Sequence, residues 1–127
     1  MARILIVEDE KRIAQFVAKG LQRQGMVTEI VGDGAEALER LEQERFDGML
    51  LDLGLPTLSG WEVLQRLREK QVNGSQAMLP VVVMTAASDE RQLEQLLALG
   101  ARAYLRKPFQ FETLLQTLAQ ALAESSS

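Results

Sequence analysis

Four places in this sequence put a side chain able to do chemistry at the end of a short apolar run. Glu8, Asp9 and Glu10 follow the run 4–7, and Asp52 follows 48–51. Thr85 follows 81–84, and Lys107, with Pro108 behind it, follows 103–105. Within about 4 Å of one another, Glu8, Asp9 and Asp52 would repel by on the order of 4 kcal/mol per pair at an effective dielectric of 20. A dication relieves that repulsion. The chain contains neither Cys nor His, so any metal it holds must be bound through oxygen, which selects a hard cation. A carboxylate beside such a cation and an ammonium is equipped for nucleophilic attack on an electrophile that carries negative charge. Each residue also has a plainer reading. The acidic triplet suits a solvated helix start, and Asp52 suits a turn. Thr85 suits an ordinary strand end, and Lys107 suits a surface position.

The missing residue types exclude whole classes of chemistry. Disulfide frameworks, thiolate nucleophiles, Ser-His-Asp triads and Cys/His zinc sites are all ruled out. The chain cannot itself carry a phosphohistidine. Net charge is −4, and the 14 Lys and Arg residues are scattered rather than gathered into a stripe, which argues against direct nucleic-acid binding. No apolar run approaches the roughly 18 residues that span a bilayer, so a cytoplasmic protein without membrane contact is expected. The 127 residues fit one domain with a real core.

Five strand-helix alternations must position these groups. The first strand, 4–7, leads into a helix with Ile13, Phe16, Val17 and Leu21 at helical spacing, closed near Gly25. The second, 27–31, is interrupted by Glu29 and is expected at an edge. Asp33 with Glu36 forms a capping box for a helix carrying Ala35, Leu38 and Leu41. After the third strand, 48–51, a loop with Gly54, Pro56 and Gly60 precedes a helix that Ser59 and Glu62 cap and that buries Val63, Leu64 and Leu67. Trp61 is expected to pack at that helix start, near the pocket-side loop. Asn73-Gly74 reads as a turn. Pro80 opens the all-apolar fourth strand, 81–84, suited to the middle of a parallel sheet. Ser88 is the expected cap of a helix carrying Leu93, Leu96 and Leu97, which Gly100 closes. The fifth strand, 103–105, precedes an amphipathic helix with Phe111, Leu114, Leu115, Leu118 and Leu122. Such a pattern predicts an α/β fold, a parallel sheet with helices on both faces and its ligand at the carboxyl ends of the strands. A single domain over 1–123 is expected, with a disordered tail over 124–127 and no effector domain.

The segments ILIVEDE, MLLDLGLPTLSG, VVVMTA and AYLRKPF, in that order and spacing, resemble the receiver domains of two-component response regulators, including the chemotaxis regulators. The likeness covers nearly the whole chain. It implies a flavodoxin-like, doubly wound sheet of strand order 2-1-3-4-5 with five flanking helices. It implies a magnesium-dependent phosphoryl-accepting switch, not an enzyme beyond its own phosphorylation and dephosphorylation, with Asp52 as the acceptor. Asp9 and Asp52 would bind Mg2+ (or Mn2+) directly, Glu8 through water, and the Gly54 backbone carbonyl would be a third protein ligand. Lys107 would offset phosphoryl charge, and Thr85 would donate its hydroxyl to a phosphoryl oxygen, with Tyr104 turning inward behind it; Tyr104 as plain packing stands as the competing view. A cis bond between Lys107 and Pro108 is a family trait. Gly54 and Ala87 carry no polar side chain to hold a hydrolytic water, which predicts a moderately long-lived phosphoryl group.

The same resemblance implies a histidine kinase or phosphotransfer protein as donor, docking at the first helix and the loops around the pocket. The output would be a downstream protein target or an excised effector domain, reached through the fourth helix, fifth strand and fifth helix, by a monomer or a phosphorylation-dependent dimer. Residues 89–122 lack the dense alternating charges of winged-helix regulators, which favours a single-domain regulator or a different effector class. Three other readings each make a demand on the sequence. A degenerate receiver acting as a phosphorylation-independent binding module should have lost Asp52, Lys107 or an acidic ligand. A flavin module would need a hydroxyl- and glycine-rich cradle after the first strand. An aspartyl-nucleophile phosphatase would show Asp-x-Asp there.

Overall fold

The computed structural model describes residues 1–72, 79–87 and 89–126. Strands and helices alternate along the chain: β1 (Arg3–Val7), α1 (Lys11–Arg23), β2 (Val27–Val31), α2 (Gly34–Gln43), β3 (Gly48–Asp52), α3 (Gly60–Val72), β4 (Val81–Thr85), α4 (Glu90–Ala98), β5 (Ala103–Arg106) and α5 (Phe111–Ser126). All strand pairs are parallel, in the order β2-β1-β3-β4-β5. The fold class and strand order expected from the sequence are those observed, and β2 lies at an edge.

Period-two alternation along the central strands builds two separate cores. Leu5, Val7, Met49, Leu51, Val81 and Val83 point to one face, where they pack with Ala37 of α2, Val63, Leu64 and Leu67 of α3, and Leu93 and Leu96 of α4. Ile4, Ile6, Leu50, Val82 and Met84 point to the other, against Ala14, Val17 and Leu21 of α1 and Leu114, Leu118 and Ala121 of α5. Burial on both faces explains why β3 and β4 are apolar throughout until their last residues.

The helix ends follow the expected chemistry, with some reassignments. Asp33 accepts from the Glu36 N–H at 2.7 Å, and Ser59 Oγ accepts from the Glu62 N–H at 3.3 Å. Gly25 and Gly100 have φ of 86° and 106°, the left-handed conformation that closes helices. Ser88 and Asn73-Gly74 lie outside the described residues; the observed cap of α4 is Asp89, whose carboxylate accepts from the Arg91 N–H at 2.9 Å. Phe16, Ala35 and Leu97 do not face the core. Phe16 is 55% exposed because Ala14, Val17, Ala18 and Leu21 occupy the sheet-facing stripe of α1; its ring instead meets Phe111 edge-on at 6.0 Å. Ala37, rather than Ala35, is the buried alanine of α2. Helix α5 runs on through Glu124, whose carboxylate lies 3.7 Å from Arg102 Nη1.

At the amino ends of the strands, Arg3 and Arg40 each pair with both Glu29 and Glu44, tying β1, β2 and α2 together; Arg3 also lies 4.9 Å above the Phe46 ring. Glu29, the polar break in β2, therefore has two cationic partners. At the opposite edge, α3 begins hard against the end of β3. A Cβ on Gly60 would stand 2.5 Å from the Asp52 carbonyl oxygen and 2.8 Å from Leu53 Cα, both backbone atoms with little room to yield. Gly60→Ala should therefore lower stability by about 1–3 kcal/mol, the usual range for overpacking. A denaturant titration measures this, and an unchanged midpoint would contradict it.

Candidate functional site

Strand order reverses between β1 and β3, since the chain leaves β1 toward β2 and later returns to β1's other side. The crevice outside the carboxyl ends of the strands at such a point is where open parallel sheets bind ligands. The acidic residues fall there. Glu8 extends the β1–β2 pairing by one bond, its N–H donating to Val31 O at 3.0 Å, and its side chain is buried. Both of its carboxylate oxygens are engaged: Oε2 accepts from the Glu10 N–H at 3.0 Å and Oε1 from Lys107 Nζ at 2.9 Å. Asp9, one residue on, is exposed.

Asp52 is the last residue of β3 and only 6% exposed. Its Oδ1 lies 3.1 Å from Lys107 Nζ and accepts from the Gly54 N–H at 3.3 Å. One carboxylate oxygen from each of Glu8, Asp9 and Asp52 lies within 4.8 Å of the others. Thr85 ends β4, buried, with Oγ1 accepting from the Ala87 N–H at 3.0 Å, so its hydroxyl proton is left to donate. The Lys107 N–H donates to Thr85 O at 2.8 Å, which sets the lysine backbone beside β4; the Lys107–Pro108 peptide bond is cis. Ends of four strands thus bring Glu8, Asp9, Asp52, Gly54, Thr85 and Lys107 together. Tyr104 on β5 is half-buried and packs with the α2–α3–α4 core, outside the cleft lining.

Burial pushes the Glu8 carboxyl above its usual range, and the nearby Asp52 charge pushes the same way, against the bonds from Lys107 and the Glu10 N–H. Burial works against the Lys107 ammonium too, but the bonds it donates to Glu8 and Asp52 outweigh it and hold its pKa above the ordinary lysine value. Glu8 and Asp52 share one ammonium while Asp9 of the same cluster adds a third negative charge, an imbalance that an oxygen-bound dication would correct.

The cleft above these groups, about 600 Å3, is open to solvent. Trp61 and Gln92 also line it. Trp61 packs at the start of α3 against the core as expected. Gln92, in the first turn of α4, has no signal in the sequence, because a surface glutamine 40 residues beyond Asp52 carries no motif.

The loop between β3 and α3 holds a strained residue. Thr57 has φ of 66°, and the Leu58 N–H donates to Pro56 O at 2.7 Å across it, a three-residue turn. A β-branched residue is poorly suited to positive φ. The loop tolerates it because Leu55 and Leu58 on either side are buried in the core.

Comparison with known proteins agrees with this geometry. The family model of the response regulator receiver domain matches residues 4–119. The transcriptional activator protein IrlR of Burkholderia pseudomallei is 38% identical over 120 residues, covering 94% of this chain and 50% of IrlR. The chain spans about half the length of the curated relatives it matches. Among solved structures, the receiver domain of the Francisella response regulator 1452 superposes with a TM-score of 0.90 at 26% identity, covering 98% of this chain and 99% of that one. The chemotaxis response regulator CheY4 of Vibrio cholerae gives 0.86 at 33% identity, with coverages of 95% and 98%. The chain belongs to the receiver domains of two-component response regulators, which are phosphoryl-accepting signalling switches. Receiver domains in general bind Mg2+ and interact with histidine kinases. Among the described residues, no helix is long and apolar enough to cross a membrane.

Two outcomes are expected from the site's strain and charge. Thr57→Gly should raise stability by about 1 kcal/mol, since it relieves strain at positive φ and loses only part of that gain to backbone entropy; thermal unfolding would detect it, and a lowered midpoint would refute it. In metal-free protein, the raised Glu8 pKa contributes stability that is complete below its ordinary value of 4.5 and lost as pH rises through the folded value. Glu8→Gln removes that loss, so the variant should gain stability relative to wild type between pH 4.5 and neutrality, and parallel pH profiles would count against this.

Proposed function

We propose that Asp52 accepts a phosphoryl group from a phosphohistidine on a histidine kinase or phosphotransfer protein, with Mg2+ bound beside it. The observation that carries this reading is the buried Asp52 carboxylate held 3.1 Å from the Lys107 ammonium, at the sheet's switch point. An Asp52 carboxylate oxygen attacks phosphorus, the phosphorus–nitrogen bond of the donor breaks, and the imidazole leaves neutral after taking up a proton. Lys107, already bridging two carboxylates, offsets charge on the phosphoryl oxygens as it develops. Its compact ammonium on a flexible stem suits a role that requires it to follow that charge.

The metal set fits the donor chemistry. Asp9 and Asp52 would supply the direct carboxylate oxygens, and the Gly54 carbonyl a third ligand. Glu8 would act through water, a role supported by the engagement of both its oxygens with Lys107 and Glu10. When bound, Mg2+ (or Mn2+) would neutralise part of the charge shared by the carboxylates and the phosphoryl group. Thr85 then turns its hydroxyl to a phosphoryl oxygen, and Tyr104 moves in behind it, which alters the face formed by α4, β5 and α5. The domain catalyses only its own phosphorylation and dephosphorylation. Likeness to a transcriptional activator twice its length supports an output that reaches transcription through an effector domain or a downstream protein. A phosphorylation-independent binding module is disfavoured, because no acidic or cationic position has been lost.

Incubation with acetyl phosphate should add the mass of one phosphoryl group, only with Mg2+ present and not in Asp52→Asn. An adduct on Asp52→Asn, or none on wild type even with a cognate kinase, would refute the assignment. After removal of the donor the group should persist well beyond seconds, because neither Gly54 nor Ala87 offers a polar side chain; half-loss within seconds would contradict this.

A further inference from the structure

Hydrolysis of an aspartyl phosphate needs a water held in line with the phosphorus–oxygen bond, and the cleft has room for one. A Cβ built on Gly54 would meet nothing nearer than Asp52 Oδ2 at 4.0 Å, so open space adjoins the acceptor carboxylate. The group that orients a water there must accept from the water and donate to a phosphoryl oxygen, preferably without negative charge. Most side chains lining the cleft fail this requirement. Asp9 and Glu10 are anions and would repel the phosphoryl group. Lys107 only donates and is committed to Glu8 and Asp52. The Trp61 indole only donates. Thr85 is buried, and its oxygen already accepts from the Ala87 N–H.

Gln92 meets the requirement. It lines the same cleft from the first turn of α4, and its carboxamide offers both donors and an acceptor. Its side chain is exposed and, among the described residues, has no hydrogen-bond partner to give up. We propose that the Gln92 carboxamide orients the water that hydrolyses the phosphoryl group on Asp52, a role that glutamine serves in other phosphoryl-transfer sites. In the step, the water oxygen bonds to phosphorus as the bond to the Asp52 carboxylate oxygen breaks. Both water protons depart on the released dihydrogen phosphate, and Asp52 regains its carboxylate. The inference rests on Asp52 being the acceptor. It concerns the rate at which the group is lost, not the route by which it arrives.

Wild type, Gln92→Ala and Gln92→Met are loaded with acetyl phosphate and Mg2+, freed of donor by desalting, and followed by intact mass. Loss from both variants should slow by about two- to tenfold, the worth of one ordinary hydrogen bond, with loading slowed by distinctly less. Met keeps the length and bulk of Gln, so a mere lid over the cleft would give a different pattern: faster loss in Gln92→Ala and no change in Gln92→Met. That pattern, equal loss in all three proteins, or equal slowing of loading and loss would each overturn the proposal. Absence of an adduct on wild type overturns the acceptor assignment instead, and this inference with it.

Discussion

The ammonium of Lys107 reaches from the end of β5 past the end of β4 to Asp52 on β3 and Glu8 after β1, at 3.1 and 2.9 Å. These carboxylates stand close enough to repel one another, and the shared ammonium offsets part of that repulsion. One cation shared between two buried anions is incomplete compensation: burial first, and the Asp52 charge after it, push the Glu8 carboxyl upward in spite of its bond from Lys107. The site therefore gains from any further positive charge and is altered by any further negative one. A phosphoryl group brings about −1.5 to −2 charges if it ionises like other protein phosphates. Lys107, just after β5, and the Thr85 hydroxyl, at the end of β4, face that same edge from strands other than the one that carries Asp52.

The sheet's two cores divide the labour around that edge. Helices α1 and α5 close one face over Ile4, Ile6 and Leu50, while α2, α3 and α4 close the other over Leu5, Met49 and Leu51. The β3–α3 loop is seated in the second core by Leu55 and Leu58, and its end is pressed against the Asp52 backbone by Gly60. Tyr104 belongs to the same core. A change at Asp52 is therefore mechanically closer to α3, α4 and β5 than to α1 and α5, consistent with an output surface that includes α4 and β5.

Much of this was legible in the sequence, because the strongest signals are local. An apolar run that ends in an acid, a hydroxyl or a lysine places that group at a strand's end whatever the rest of the chain does, and this located Glu8, Asp52, Thr85 and Lys107. The caps at Asp33 and Ser59 and the helix-closing glycines were equally local, since each depends on backbone groups within a few residues. The edge position of β2 followed from Glu29, because a strand with a polar break does not suit burial on both faces.

Other features depended on which way each element turned in space. Helical spacing admitted Phe16 and Leu97 to the core, but the stripe that faces the sheet is set by how the helix docks, and both were left outside. The partners of Glu29 come from β1 and α2, and the unequal exposure of Glu8 and Asp9 depends on where β1 ends against β2. Gln92 reaches the cleft only because the β4–α4 connection places the first turn of α4 over the carboxyl edge. By itself the sequence determined the five alternating units, the chemistry at their ends and the absence of Cys and His. The tertiary structure alone decided which carboxylates are buried, which cation is shared and which neutral side chain lines the cleft, because those depend on distances between residues far apart in the chain.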